Sequence, residues 1–168
     1  MRPDKTKALV ATVYFLQGFA LSGLVFSLFL KETLHWSILR MSLLATISAI
    51  PWFFKILYGV ASDNFPLFGY KRKSYLAVCS ILSIFCSVAL AALRYTNFWY
   101  YTGLFFMSSV AACMIDVIID GYVVEQSKDF KTTNGYQNLS WGSRAVGGAS
   151  SSLLGGWLAA HLGVYQIF

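Results

Sequence analysis

Charge is what this sequence has least of. Of 168 residues, 7 are Asp or Glu and 13 are Lys or Arg, so 12% are charged, where a soluble domain carries roughly 25%. So little charge cannot cover a water-facing surface, and lipid must cover much of it instead. Cysteine is scarce as well. Cys79, Cys86 and Cys113 all fall inside apolar runs, an odd number without CxxC or Cys/His spacing. That excludes a disulfide framework and a zinc site. The three are expected to be small lipid-facing or packing residues, and no metal or cofactor is expected. A continuous basic face is missing too, despite a net charge of +6. Lys and Arg gather in short clusters at helix ends, the pattern of topology determinants. Nucleic acid is therefore not an expected partner.

What is present is apolar: 57% of the residues are hydrophobic and 17% aromatic, with a mean hydropathy of +0.61. A transmembrane helix needs about 20 such residues in a row. Five stretches qualify, at about 8–30, 38–61, 75–93, 98–124 and 136–160. The first is too long for a signal-peptide core and lacks a small-residue cleavage site, so it reads as a membrane helix that also targets the chain. Short connections imply antiparallel neighbours. Trp36 and the run Tyr95, Phe98, Trp99, Tyr100 and Tyr101 sit where membrane interfaces are expected. A cytoplasmic N-terminus places Arg2, Lys5, Lys7, Lys71, Arg72, Lys73, Lys128 and Lys131 inside, against Lys31, Arg40 and Arg94 outside. Eight against three sets the orientation. The final residues, GVYQIF, turn apolar again, and five helices cannot close an internal-repeat carrier. The chain is therefore expected to be part of a longer or split protein.

The richest segment is 51–76, PWFFKILYGVASDNFPLFGYKRKSYL. Lys55 lies in an apolar helix, and charge at membrane depth persists mainly where it lines an interior or a pathway. Pro51 removes a backbone hydrogen bond and predicts a kink one turn before Lys55. The loop that follows carries Gly59, Asp63, Gly69, Lys71, Arg72 and Lys73, a gating pattern. Asp63 is expected to cap a neighbouring helix end or to pair with a basic side chain. In the fifth stretch, Gly147, Ser151 and Gly155 form one small-residue ladder, and Gly148, Ser152 and Gly156 a second. Either allows close helix approach, as a tight static interface or as a sliding gate.

Four ionisable residues fall within spans: Lys55, Asp116, Asp120 and Arg144, with cancelling formal charge. From the span midpoints and a rise of ~1.5 Å per residue, Lys55, Asp116 and Arg144 lie roughly 6–9 Å to the cytoplasmic side of the midplane. Asp120 sits one turn from Asp116 on the same helix face, nearer the cytoplasmic mouth, with Glu125 beyond it. Two readings stay open. One is a structural ion-pair network between helices two, four and five. The other is a substrate-anion or proton-coupling site in a watered cavity.

The stretches quoted so far resemble the folate-biopterin transporter family, a branch of the major facilitator superfamily. The resemblance rests on Gln17-Gly18, on PWFFKILYGVASD at 51–63 and FPLFGYKRKSYL at 65–76. It rests also on DVIIDGYVVEQS at 116–127 and SWGSRAVGGASSSLLGGWL at 140–158. It implies an all-α membrane protein, the N-terminal portion of a twelve-helix carrier built from two six-helix halves. It also implies transport of folates or pterins as small-molecule substrates, by a proton-coupled symporter that works with its C-terminal half in the lipid bilayer. Gln17 joins the candidate substrate residues on this resemblance. Lys55 and Arg144 would suit a glutamate-tail carboxylate, and the PW-x-x-K helix is the best placed for a substrate contact.

Other classes fit the residues less well. The Asp116/Asp120 DxxxD pair is similar to a magnesium-diphosphate motif, but that chemistry needs a second acidic cluster, which the sequence lacks. An intramembrane aspartyl protease needs facing carboxylates from two helices, and these share one. No enzyme is expected. A non-transporting membrane subunit and a carrier of another solute remain as alternatives.

Overall fold

The computed structural model describes residues 3–19, 23–70, 72–92, 97–127 and 130–162. Arg2, Lys71, Arg94, Tyr95, Lys128 and the segment 163–168, all read above, lie outside the described residues. The helices are α1 (Pro3–Gly18), α2 (Gly23–Leu28), α3 (Ile38–Phe53), α4 (Lys55–Asn64), α5 (Arg72–Ala92), α6 (Phe98–Gln126) and α7 (Phe130–Leu162). A five-residue π-helical turn, Phe29–Thr33, closes α2. Among the described residues there is no strand, and an isolated bridge joins Leu67 to Tyr70. The fold is all-α, as the periodicity and hydropathy require.

Among the described residues, helices α5, from Arg72 to Leu90, and α6 are long and apolar enough to cross a membrane, and α3 with α4 reach that length and hydropathy together as a bent pair, a broken span or a re-entrant loop. α1 is short, at 16 residues, and α7, with 33, passes on length and fails on composition. Its Gly, Ser, Asn and Gln content suits a helix that faces protein more than lipid.

The chain divides into two compact units. One comprises Met1–Trp36 with Val123–Phe168, the other Ser37–Tyr122. In the first, α1 lies against α7 at backbone contact distance. A Cβ on Gly18 would overlap the carbonyl oxygen of Arg144, and one on Gly147 would overlap that of Phe15. The Gly147, Ser151 and Gly155 ladder is the buried one, whereas Ser152 and Gly156 of the second ladder are exposed. From α1, Thr6, Val10 and Tyr14, each four residues apart, supply the opposing buried stripe. Trp36 is buried at 4% exposure, so within its unit it is a packing residue.

In the second unit, Ser37 caps α3 by accepting a hydrogen bond from the Arg40 amide. The expected kink is present and falls three residues beyond Pro51. α3 and α4 meet at 45° around Phe54, whose amide donates to the Pro51 carbonyl at 3.1 Å. Proline lacks the N–H and its ring crowds the turn before it, which weakens the helix at Pro51; the ladder tightens in the turn after it, at Phe54, and the helix restarts at Lys55. α6 then seals the opened backbone. Ser109 donates to the Ser48 carbonyl at 2.6 Å, and the Cys113 thiol to that of Pro51 at 3.7 Å. Cys79 of α5 packs with Ala111, Met114 and Ile118 of α6. All three cysteines are free and buried, which makes them packing residues and not lipid-facing ones.

Candidate functional site

Lys55 is the first residue after the bend, so its side chain leaves the helix where the ladder has just been interrupted. Its Nζ lies 2.5 Å from the Asp116 carboxylate and 3.2 Å from that of Asp120. The spacing of four residues puts both carboxylates on one face of α6, so a single ammonium reaches both. Asp116 is 4% exposed, while Lys55 and Asp120 are 36% and 38% exposed. The Trp52 ring lies 5.9 Å from the ammonium. With both acids ionised, the triad carries one net negative charge. Of the two acids, the buried Asp116 has the greater need of Lys55.

Gln17 and Arg144 are brought together in the other unit. The Arg144 guanidinium donates to Gln17 Oε1 at 2.6 Å across 127 positions of sequence. It lies 5.2 Å from the Tyr14 ring and 5.6 Å from the Trp141 ring, within cation–π range of both. Close approach at Gly18 makes this possible, because that glycine rests on the backbone of Arg144 itself. The Gln17-Gly18 pair thus has two separable physical roles, one polar and one steric. Lys55, Asp116 and Asp120 thus meet within one unit, and Arg144 meets Gln17 within the other.

The loop candidates form a third set. Arg72 donates to the Asp63 carboxylate through Nε at 3.0 Å and a terminal nitrogen at 2.9 Å, so Asp63 pairs with a basic side chain as expected. The same guanidinium lies over Gly121, where a Cβ would sit 3.2 Å from it. Gly121 was not singled out from sequence, and its position beside Asp120 was the available signal. Gly69 has φ of +78° and follows Phe68 at +51° in a turn closed by the Tyr70 amide on the Leu67 carbonyl. That conformation favours glycine. Gly59 faces the Val117 side chain, at 3.3 Å from a Cβ built there. Lys73 is exposed, and Lys71 lies outside the described residues.

Tyr14, Trp141 and the second carboxylate contact of Lys55 are what sequence reasoning missed. For Trp141 the signal was present: it stands one turn before Arg144 on the same helix face.

The family model of the BT1 family matches residues 17–167. Among curated relatives, the chain is 33% identical over 167 residues to a folate-biopterin transporter of Synechocystis, covering 95% of this chain and 33% of that protein. It is 32% identical to a probable folate-biopterin transporter 4 of Arabidopsis thaliana, covering 95% of the chain and 34% of the relative. It is 30% identical to a folate transporter 1 of Plasmodium falciparum, covering 83% and 28%. The chain spans about a third of the length of these relatives. They are named as transporters and not as enzymes, which sets aside the diphosphate and protease readings. No solved structure matches the chain.

Proposed function

Because the chain belongs to the BT1 family, we propose that it is the N-terminal portion of a major-facilitator-type carrier that moves folates or pterins by proton-coupled alternating access. The observation that supports coupling is the Lys55–Asp116–Asp120 triad. Two carboxylates share one ammonium, with one acid buried and the other half exposed. A proton taken up on Asp120 leaves a neutral Lys55–Asp116 pair. Its release restores the negative charge and draws Lys55 back between the two acids. Since Lys55 begins α4 immediately after the 45° bend, this exchange acts on the segment best able to change its angle. Lys55 then serves coupling, and anionic substrate recognition passes to Arg144.

In proteoliposomes containing a full-length polypeptide with this chain, folate or biopterin uptake is expected to rise with an acid exterior. Asp120→Asn is expected to abolish concentrative uptake while leaving substrate exchange. Uptake of the same size with and without the pH gradient would overturn the coupling. The 168 residues alone are expected not to transport, since alternating access requires one bundle to rock against another. Saturable uptake by the chain reconstituted by itself would refute this.

The proposed orientation has its own test. Single cysteines at Lys73 and Asn134 are expected to react only with reagent on the cytoplasmic side, and one at Glu32 only from outside. All three native cysteines are buried, which keeps the background low. Labelling of the Glu32 position from the cytoplasmic side alone would reverse the assignment.

A further inference from the structure

We infer that Ser109 and Cys113 of α6 are positioning residues that hold α3 fixed, so that α4 alone swings about Phe54 when the charge at Asp120 changes. The inference rests on the coupling reading above and deepens it.

Ser109, Cys113, Asp116 and Asp120 are spaced by four, three and four residues, along one face of α6. That face meets the bent pair on both sides of its break. Before the break, the Ser109 hydroxyl donates to the Ser48 carbonyl at 2.6 Å, and the Cys113 thiol to the Pro51 carbonyl at 3.7 Å. After it, Asp116 and Asp120 accept from the Lys55 ammonium at 2.5 and 3.2 Å. Between the two sets stands Phe54, at φ −94° and ψ 14°, outside both helices. A single helix thus grips both arms of a hinge.

The two grips differ in kind. A hydroxyl and a thiol bonded to carbonyls carry no charge, so neutralising a carboxylate leaves the hold on α3 as it was. The hold on α4 is electrostatic, and one of its two acids, Asp120, is 38% exposed. Loss of charge there removes one of the two partners of Lys55 and loosens α4 alone. The hinge itself is weak in the right place. Pro51 has no N–H for the Ile47 carbonyl four residues back, so bending beyond it disturbs fewer backbone hydrogen bonds than bending elsewhere in the pair. Farther along α4, Gly59 meets the Val117 side chain without one of its own to lock the arm. A change of about 10° at Phe54 swings the far end of the ten-residue α4, about 15 Å long, by roughly 3 Å. Without its two bonds to α6, α3 would follow, and the pair would shift as a rod instead of changing its bend.

The test measures distances between spin labels in a full-length polypeptide containing this chain, reconstituted in lipid nanodiscs. Labels at Leu39 on α3 and at Asn64, the last residue of α4, are each paired with one at Trp99 on α6. All three positions are exposed. Asp120→Asn supplies the neutral state. It is expected to shift the Asn64–Trp99 distance by about 3 Å and to leave Leu39–Trp99 unchanged. Adding Ser109→Ala is expected to make Leu39–Trp99 shift as well, and Ser109→Thr, which keeps the hydroxyl, to hold it still. With Asp120 intact, Ser109→Ala is expected to lower the accumulation ratio about fivefold relative to exchange, the equilibrium factor of one neutral hydrogen bond. Ser109→Thr is expected to recover it. Equal shifts of both distances in the Asp120→Asn protein would overturn the inference and leave the coupling reading standing. So would wild-type accumulation by Ser109→Ala. A shift in neither distance would overturn both. A swing of α4 alone, without acid-driven folate or pterin uptake, would support the inference and count against the carrier reading.

Discussion

Lys55→Ala is expected to destabilise the chain by about 2–3 kcal/mol, below the range for a fully buried pair because Lys55 is 36% exposed, since it takes the ammonium away from the buried Asp116 carboxylate. The geometry orders the other variants. Asp116→Asn leaves Lys55 beside Asp120 at 3.2 Å, with both groups more than a third exposed, and costs less. Asp120→Asn costs least, since the 2.5 Å pair with Asp116 remains. The double variant Lys55→Ala/Asp116→Asn removes both charges of the pair and is expected to recover most of the stability lost in Lys55→Ala. Denaturation of the four variants in detergent checks this order. A Lys55→Ala variant as stable as Asp120→Asn would show that Asp116 does not depend on Lys55. Uptake separates structure from coupling: the double variant is expected to fold and still to fail at acid-driven accumulation. Wild-type accumulation by the double variant would leave the triad a structural tie alone.

Gly18→Ala and Gly147→Ala have the next largest effects. In each case the new methyl group would overlap a backbone carbonyl oxygen of the facing helix, Arg144 for the first and Phe15 for the second. Backbone cannot rotate aside as a side chain can, so α1 and α7 must separate. Overpacking of this kind costs about 1–3 kcal/mol, and both variants belong at its upper end because the interface loosens along its length. Gly18→Ala also draws Gln17 away from Arg144. The neighbouring glycines provide the control. Gly148 would place its Cβ 3.7 Å from the Gly18 carbonyl oxygen, an ordinary contact, and Gly142 and Gly156 would meet nothing within 4 Å. Alanine at Gly142 or Gly156 is expected to be neutral or to stabilise the helix by about 0.5–1 kcal/mol. Thermal unfolding of these variants would settle which ladder packs. Equal losses at Gly147 and Gly156 would exclude the α1–α7 interface described here.

Much of this was legible along the chain. Scarcity of charge and long apolar runs determine an all-α membrane protein, since a backbone in lipid must satisfy its own hydrogen bonds. Pro51 determines that the second stretch bends, because the missing N–H is a local property. The sequence also holds the list of candidates. Lys55, Asp116, Asp120 and Arg144 stand out as charges within spans, Asp63 and Arg72 as loop neighbours nine positions apart, and the glycine ladders by their periodicity. The BT1 match agrees with the resemblance read from Gln17-Gly18 and the longer motifs.

Tertiary structure decided the pairings. Depth along a helix axis is one coordinate, and it does not say which side chains meet. Which side chains meet depends on how each helix is rotated and on which neighbour it faces. Those are set by packing between residues as distant in sequence as Gln17 and Arg144, or Lys55 and Asp116. The same holds for the two ladders. Both have the spacing for close approach, and only the backbone of α1 against Gly147 makes one the buried interface and leaves Ser152 and Gly156 of the other exposed. Periodicity determines that a helix has a small-residue face, and only the facing helix, by fitting it, determines which one is used.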